Sequence, residues 1–275
     1  MSPPHPLVAT WAARLAARPL PVRASTRATM DALRPKADWL DANALAQVVL
    51  RDPLMAVGVL ALAQQRFAAR LSRPMETVTA ALVLLGVDPF LGAFEACDTV
   101  EDRLSAWPQA LAAFNASLDR TARAARLAAA FAVHRQDGHA ESLYEAALLS
   151  DFGSLLLWVE APADALAVQA HARESALGWE SAQRAVLGVE MQAVQAQLMA
   201  QWGLSGMLLD LAQPGLAASA SAQTVSLALR LASPGGCDAE QGAAMAQVAR
   251  LLNLSVGAAR LLVHEVLEEA DADAA

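Results

Sequence analysis

The chain has 275 residues, 56% of them hydrophobic, 17% charged and 5% aromatic, with a formal net charge of −8. That length is ample for a substantial buried core, and that apolar content excludes a mostly disordered chain. The acidic balance speaks against a broad nucleic-acid footprint and against a polybasic membrane contact.

Alanine accounts for 66 residues, Tyr occurs once (Tyr144) and Ile never. Ala and Leu are the strongest helix formers, whereas strands want Val, Ile, Thr and aromatics. The composition therefore predicts an all-α protein. In chain order, Asp41 caps a helix that places Leu45, Val48 and Val49 on one face. Asp52-Pro53 starts the next helix, with Asp as cap and Pro at the first helical position, where its missing N–H costs nothing. Thr77–Leu85 reads as a very apolar helix closed by Gly86, and Asp88-Pro89 repeats the start signal. Residues 108–134 read as one long helix stopped by Asp137-Gly138. Two apolar pieces, Leu143–Leu149 and Leu155–Val159, are broken by Ser150-Asp151-Phe152-Gly153. Further on, Met191, Val194, Leu198 and Trp202 fall on one helical stripe. Ser233-Pro234-Gly235-Gly236 is the clearest linker signal, followed by two helical patterns and an acidic tail. The pattern has no fixed-period repeat, so a compact multi-helix globule is expected rather than a solenoid.

No targeting segment stands out, because Arg14 and Arg18 interrupt the N-terminal apolar residues. The apolar run Thr79–Val87 stops at Asp88-Pro89, and the uncharged stretch Leu211–Leu229 begins within a few residues of Pro214 and holds several Ser and Gln. Each falls short of the roughly 20 apolar residues that a membrane span requires. Cys97 and Cys237 lie far apart with no CxxC pair, which predicts neither a disulfide framework nor a zinc knuckle and fits a reducing cytoplasm.

The search for chemistry gives little. The five histidines are His5, His134, His139, His171 and His264; none is four residues from another on a helix and none precedes Asp. Each reads as a surface or cap histidine, since a metal-bound water needs three or more converging ligands. There is no GxSxG elbow and no Gly-rich phosphate loop. Arg120, Arg123 and Arg126 lie at spacing three on the long helix. They are either a phosphate-binding stripe, for which guanidinium forks are suited, or the solvated face of an Ala-rich helix. Arg66, Arg70 and Arg73 form a second small cluster with the same two readings. Residues 245–267 have the cadence of a helix-turn-helix, with Ala249 at the small-residue contact, the turn at Asn253-Leu254-Ser255, and Arg260 and His264 on the second helix. From Cys237 onward two arginines face seven acidic residues, so DNA contact is disfavoured and helix packing expected.

The order of the landmarks resembles the HDOD domain, the non-catalytic relative of the HD and HD-GYP metal-dependent phosphohydrolases. Trp11–Leu33 is similar to the family's lead-in, a Trp helix, a Leu-Pro step and a Thr-led helix. Leu45–Ala63 matches the signature centred on Asp-Pro, here Asp52-Pro53, and Met75–Gly86 matches the helix ending in Leu-Gly. Glu141–Pro162 matches the segment that carries the family's His-Asp pair, and Leu187–Ser205 matches a later segment with a Gly-x-Asp-His start and a Trp near its end. The resemblance implies where hydrolytic relatives take their metal ligands, and this chain departs at those positions. Ala116 stands at the first His position, Ser150-Asp151 at the His-Asp pair, Met191 at the next His, and Ala212 and Gln213 at the final double His. One carboxylate does not hold a catalytic divalent ion, and Ala and Met offer it no hard donor. Asp151 is expected instead to cap the helix beginning near Phe152, and the replaced positions to become core or nearly so.

These readings imply a lead-in at residues 1–24, an HDOD domain at 25–232 and a C-terminal helical extension with an acidic tail at 233–275. The resemblance implies a non-catalytic regulatory or signalling scaffold in a bacterial cytoplasm, with no cofactor and no metal, acting on a signalling protein or a small nucleotide ligand. Two alternatives stay open: a residual metal-dependent phosphohydrolase acting on a nucleotide or cyclic dinucleotide, and a nucleotide sensor built on the arginine clusters. A membrane partner is not expected, and DNA is disfavoured.

Overall fold

In the computed structural model the described residues are 5–70, 75, 77–204, 219–233 and 238–274. Their helices are those that the capping signals call for. The Asp41 carboxylate accepts the Ala44 N–H at 2.7 Å and starts α3, and Asp52 accepts the Met55 N–H at 3.3 Å and starts α4 behind Pro53. Thr77 caps α5, and Gly86 closes it at φ 78°, a backbone region that disfavours any side chain. The next helix departs from expectation: it starts at Val87, directly after Gly86, so Asp88 lies inside its first turn rather than capping it. The turn at Gly86 is tight enough that no residue is left over to serve as a separate cap.

The order is α1 (Pro6–Leu15), α2 (Ala24–Leu33), a 3-10 turn (Arg34–Trp39), α3 (Ala42–Val49), α4 (Pro53–Phe67), α5 (Val78–Leu85), α6 (Val87–Ala93), α7 (Val100–Arg103) and α8 (Pro108–His134). Then follow α9 (Ala140–Leu148), α10 (Phe152–Glu160), α11 (Pro162–Ser175), α12 (Trp179–Leu187), α13 (Met191–Gln201), α14 (Ala220–Ala232), α15 (Asp238–Leu252) and α16 (Val256–Ala274). The protein is all-α: among the described residues the only extended pairing is a single parallel bridge between Val22 and Thr99. Among them, too, no single helix is long and apolar enough to cross a membrane.

The chain divides into two compact units, residues 1–117 with 151–206, and residues 118–150 with 207–275. In the first unit α1 packs on α13 and α10, α5 on α3 and α4, and α10 on α11 and α13. Its core is aliphatic and aromatic, with Leu15, Leu45, Leu54, Met55, Phe90 and Phe152 fully buried. Trp11 fixes α1 by donating its indole N–H to the Leu187 carbonyl, at 3.4 Å. Buried ionisable groups fasten the lead-in at two points. Asp52, wholly buried, accepts the Arg23 N–H at 2.6 Å as well as capping α4. Burial pushes its carboxyl above the usual range, against the pull of the Arg23 and Met55 N–H groups. Arg103 of α7 pairs with Glu160 at the end of α10, both side chains 5% exposed, and donates to the Pro19 carbonyl at 2.7 Å.

In the second unit α9 packs on α14, α14 on α15, and α15 on α16. Arg135 donates to Thr224 Oγ1 at 3.0 Å, joining the end of α8 to α14. Asn253 takes φ 55° between α15 and α16, and the Leu254 N–H closes back on the Ala249 carbonyl at 2.8 Å.

Candidate functional site

The segment where the sequence places a Ser-Asp pair leads into α10, and α10 crosses α13 closely enough to dictate its composition. A Cβ on Gly153 would lie 3.0 Å from both the Met191 carbonyl oxygen and Gln195 Cβ. Only glycine leaves α10 and α13 in this contact without a shift of backbone.

Around that contact lies a buried network of neutral polar groups. The Gly153 N–H donates to Gln195 Oε1 at 2.8 Å, and the Met191 N–H donates to Gln183 Oε1 at 2.9 Å. Gln183 Nε2 and the Trp179 indole N–H each approach Ser154 Oγ at 3.4 Å. Gln183, Gln195 and Ser154 are all 2% exposed. Trp179 stacks on Trp158, ring centroids 5.6 Å apart, and Phe152 stacks on Trp202 at 6.0 Å. The Trp158 indole N–H is buried and lacks a hydrogen-bond partner among the described residues. Amides are expensive to bury unless bonded; here each glutamine satisfies the first N–H groups of a neighbouring helix.

This corrects the expected role of Asp151. It stands at the N-cap of α10, but its side chain makes no capping bond. The donors that a cap would serve are already taken. The Gly153 N–H goes to Gln195, and the Ser154 N–H goes to the Asp151 carbonyl at 3.1 Å. Asp151 is half-buried and has a further interaction partner.

The other predicted positions fare unequally. Met191 is 1% exposed and serves as core, as expected. Ser150 is half-buried and donates its hydroxyl to the Ala147 carbonyl at 2.8 Å within its own turn. Ala116 does not become core: it lies on the exposed side of α8, where Phe114 and Ser117 are the buried neighbours. The helical register, set by the large Phe114, turns the alanine outward. Ala212 and Gln213 lie outside the described residues. Among the described residues, no group of three His, Cys, Asp or Glu side chains is arranged to hold a metal ion.

Arg120, Arg123 and Arg126 are half-buried on α8, and each has an interaction partner. Arg66 is exposed; the side chains of Arg70 and Arg73 lie outside the described residues. The helix-turn-helix cadence is real as geometry, since α15 and α16 meet at 100° with Ala249 4% exposed at the expected small-residue position. Arg260 and His264 are exposed on α16, and His264 pairs with Glu268 at 3.2 Å, so acidic residues share that face. Cys97 is a free, half-buried thiol whose pKa burial raises, the opposite of a reactive thiolate; Cys237 lies outside the described residues.

Sequence reasoning missed Gln183 and Gln195. Gln195 falls four residues after Met191, one helical turn along and so on the same face, and that spacing was the available signal.

Comparison with known proteins bears on this site. The family model for the HDOD domain matches residues 20–214. The chain is similar to the crystal structure of the MmoQ response regulator from Methylococcus capsulatus str. Bath, with 20% identity, a TM-score of 0.67, and 89% of this chain covering 97% of that one. It is similar to a virulence factor from Campylobacter jejuni subsp. jejuni, with 15% identity, a TM-score of 0.71, and coverage of 96% and 97%. It is also similar to an HDOD domain protein of unknown function from Geobacter sulfurreducens, with 17% identity, a TM-score of 0.50, and coverage of 96% and 95%. No curated protein matches the chain.

Proposed function

Since this chain belongs to the HDOD domain family, we propose that it is a signalling scaffold of the bacterial cytoplasm, working by binding a protein partner and catalysing no reaction of its own. One observation carries the reading. At the α10–α13 crossing, where the resemblance implies a histidine in hydrolytic relatives, the side chain is the buried Met191, and the Gln183 and Gln195 side-chain carbonyls beside it are already bonded to backbone N–H groups. A divalent ion does not fit this donor set. Gln183 and Gln195 offer neutral carbonyls already bonded to backbone N–H groups, Met191 offers only a soft thioether, and Asp151 is a single carboxylate. Stability here comes from packed helix faces, so the fold does not depend on an ion. That one of the similar structures is a response regulator supports a place in signal transduction, as an association.

The test is turnover. Purified protein supplied with Mn²⁺, Fe²⁺ or Zn²⁺ is expected to leave cyclic dinucleotides and nucleotide phosphodiesters unhydrolysed. Metal-dependent turnover that disappears in Asp151→Ala would overturn the proposal.

A further inference from the structure

Helix α1 and the residues that follow it are held to the first unit in unequal ways. From Arg18 onward the ties are dense. Arg18 pairs with Glu160, and the Pro19 carbonyl accepts from the buried Arg103. Three successive N–H groups then go to three different segments: Val22 to the Asp98 carbonyl, Arg23 to the Asp52 carboxyl and Ala24 to the Glu101 carboxylate. Ahead of Ala16 the ties are few. Of the ten residues of α1 only Ala12 and Leu15 are buried. Besides these, α1 has the Trp11 indole bond to the Leu187 carbonyl at 3.4 Å and the Arg14–Asp164 pair, whose side chains are 49% and 38% exposed. Leu7 reaches Gly188 but stays 44% exposed. Few buried side chains and solvent-exposed polar bonds mark a segment that opens locally, below the free energy of global unfolding. The boundary between the two regimes falls at Ala16–Ala17, just past the end of α1.

What α1 covers matters as much as how it is held. It packs on α13 and α10, the two helices of the neutral corner. Lifting it uncovers part of their surface and releases two polar groups, the Leu187 carbonyl and the Asp164 carboxylate. The other charges nearby stay paired: Glu160 keeps Arg103 and Arg18, and Glu190 keeps Arg184. The seat that remains is apolar, with one acceptor and one negative charge to satisfy. We propose that α1 is a displaceable cover, hinged at Ala16–Ala17, and that its seat receives an amphipathic helix of a partner protein patterned as α1 is. Such a helix presents small and leucine side chains inward, an N–H donor toward Leu187 and a cation toward Asp164. The inference rests on the scaffold reading above and locates its docking site.

Hydrogen exchange on the full chain tests the hinge. Residues 7–15 should exchange at least about tenfold faster than residues 19–24 and α13, and faster still in high salt, which screens the exposed Arg14–Asp164 pair. Equal protection of α1 and α13 would overturn the inference. The seat is tested with a fluorescein-labelled peptide of residues 5–18, titrated into the full chain by anisotropy beside the same peptide carrying Arg14→Glu. A seat open in only a fraction of molecules binds with affinity reduced by that fraction. Trp11→Ala in the chain's own α1 should therefore tighten binding of the first peptide at least about tenfold, and adding Asp164→Lys should remove the gain. Should Trp11→Ala unfold the chain, Arg14→Ala gives the same release from an exposed site, with a smaller gain. Binding indifferent to these α1 variants, or equal for both peptides, would overturn the inference. So would dimers of the parent chain in sedimentation that vanish on Asp164→Lys, since the occupant would then be a second copy. The two proposals fail separately: metal-dependent turnover sinks the scaffold reading whatever α1 does, whereas absent turnover with a protected α1 sinks this cover alone.

Discussion

Two buried polar corners of the first unit do opposite things with the same raw material. At the lead-in, ionisable groups are kept: Asp52 is fully buried, and the Arg103–Glu160 pair is closed off from solvent at 5% exposure on both sides. At the α10–α13 crossing the fastening is neutral: the Gln195 and Gln183 side-chain carbonyls accept the Gly153 and Met191 N–H groups, and the Ser154 hydroxyl accepts from the Gln183 side-chain amide. The charged corner joins segments far apart in sequence, residues 18–23 to α4, α7 and α10. The neutral corner also joins helices apart in sequence, α10 to α12 and α13 across 29 and 42 residues. The contrast teaches that buried polar groups in this fold act as fastenings, charged in one corner and neutral in the other.

The contrast predicts unequal damage. Glu160→Ala removes one of the two carboxylates on the buried Arg103, leaving Asp98 and the Pro19 carbonyl, and should cost about 1.5–3 kcal/mol in urea unfolding. Its outer neighbour Arg18, which also pairs with Glu160 but is 52% exposed, should cost less than about 1 kcal/mol as Arg18→Ala. Equal losses for the two variants would mean that the buried pair is not the fastening. In the neutral corner, Gln195→Ala leaves the Gly153 N–H without its acceptor and should cost about 1–3 kcal/mol. Gly153→Ala should cost a similar amount, about 1–3 kcal/mol, because the added methyl meets the Met191 backbone at 3.0 Å. An unchanged melting point in Gly153→Ala would show that the helices are free to separate.

The smallest effect is the pH dependence of Asp52. Its folded pKa is raised by burial, so the folded state holds the proton at pH values where the unfolded chain has released it. Its contribution is therefore present in full below the ordinary aspartate range and is lost as pH rises through the folded pKa. Asp52→Asn, which keeps one acceptor and cannot ionise, should show a penalty that shrinks as pH rises from the acid range toward neutrality. A penalty that grows with pH would mean that the carboxylate, not the acid, is the preferred buried form.

Much of the fold was legible because its signals are local. Asp41, Asp52-Pro53, Thr77 and Gly86 mark helix ends with chemistry that acts within four residues, and each performs the expected task. Asp88 and Asp151 misled for the complementary reason. Asp88 falls inside the first turn because α6 starts directly after Gly86, and at Asp151 the Gly153 N–H is served by Gln195, from outside the local stretch. Ala116 was misplaced because landmark order gives a position along the chain but not the face of the helix, which Phe114 decides. The glutamine network was invisible because a buried Gln looks like a surface Gln until the crossing helix is in place.

The central claim, that the α10–α13 corner is finished by its own side chains and awaits no ion, is tested most directly by thermal unfolding with and without metal. Anything that binds only the folded state at a concentration 100 times its Kd raises stability by about 2.7 kcal/mol. The melting temperature is predicted to be the same in EDTA, in excess Mn²⁺ and in excess Zn²⁺. A rise of several degrees with either ion, abolished by Asp151→Ala, would contradict the account.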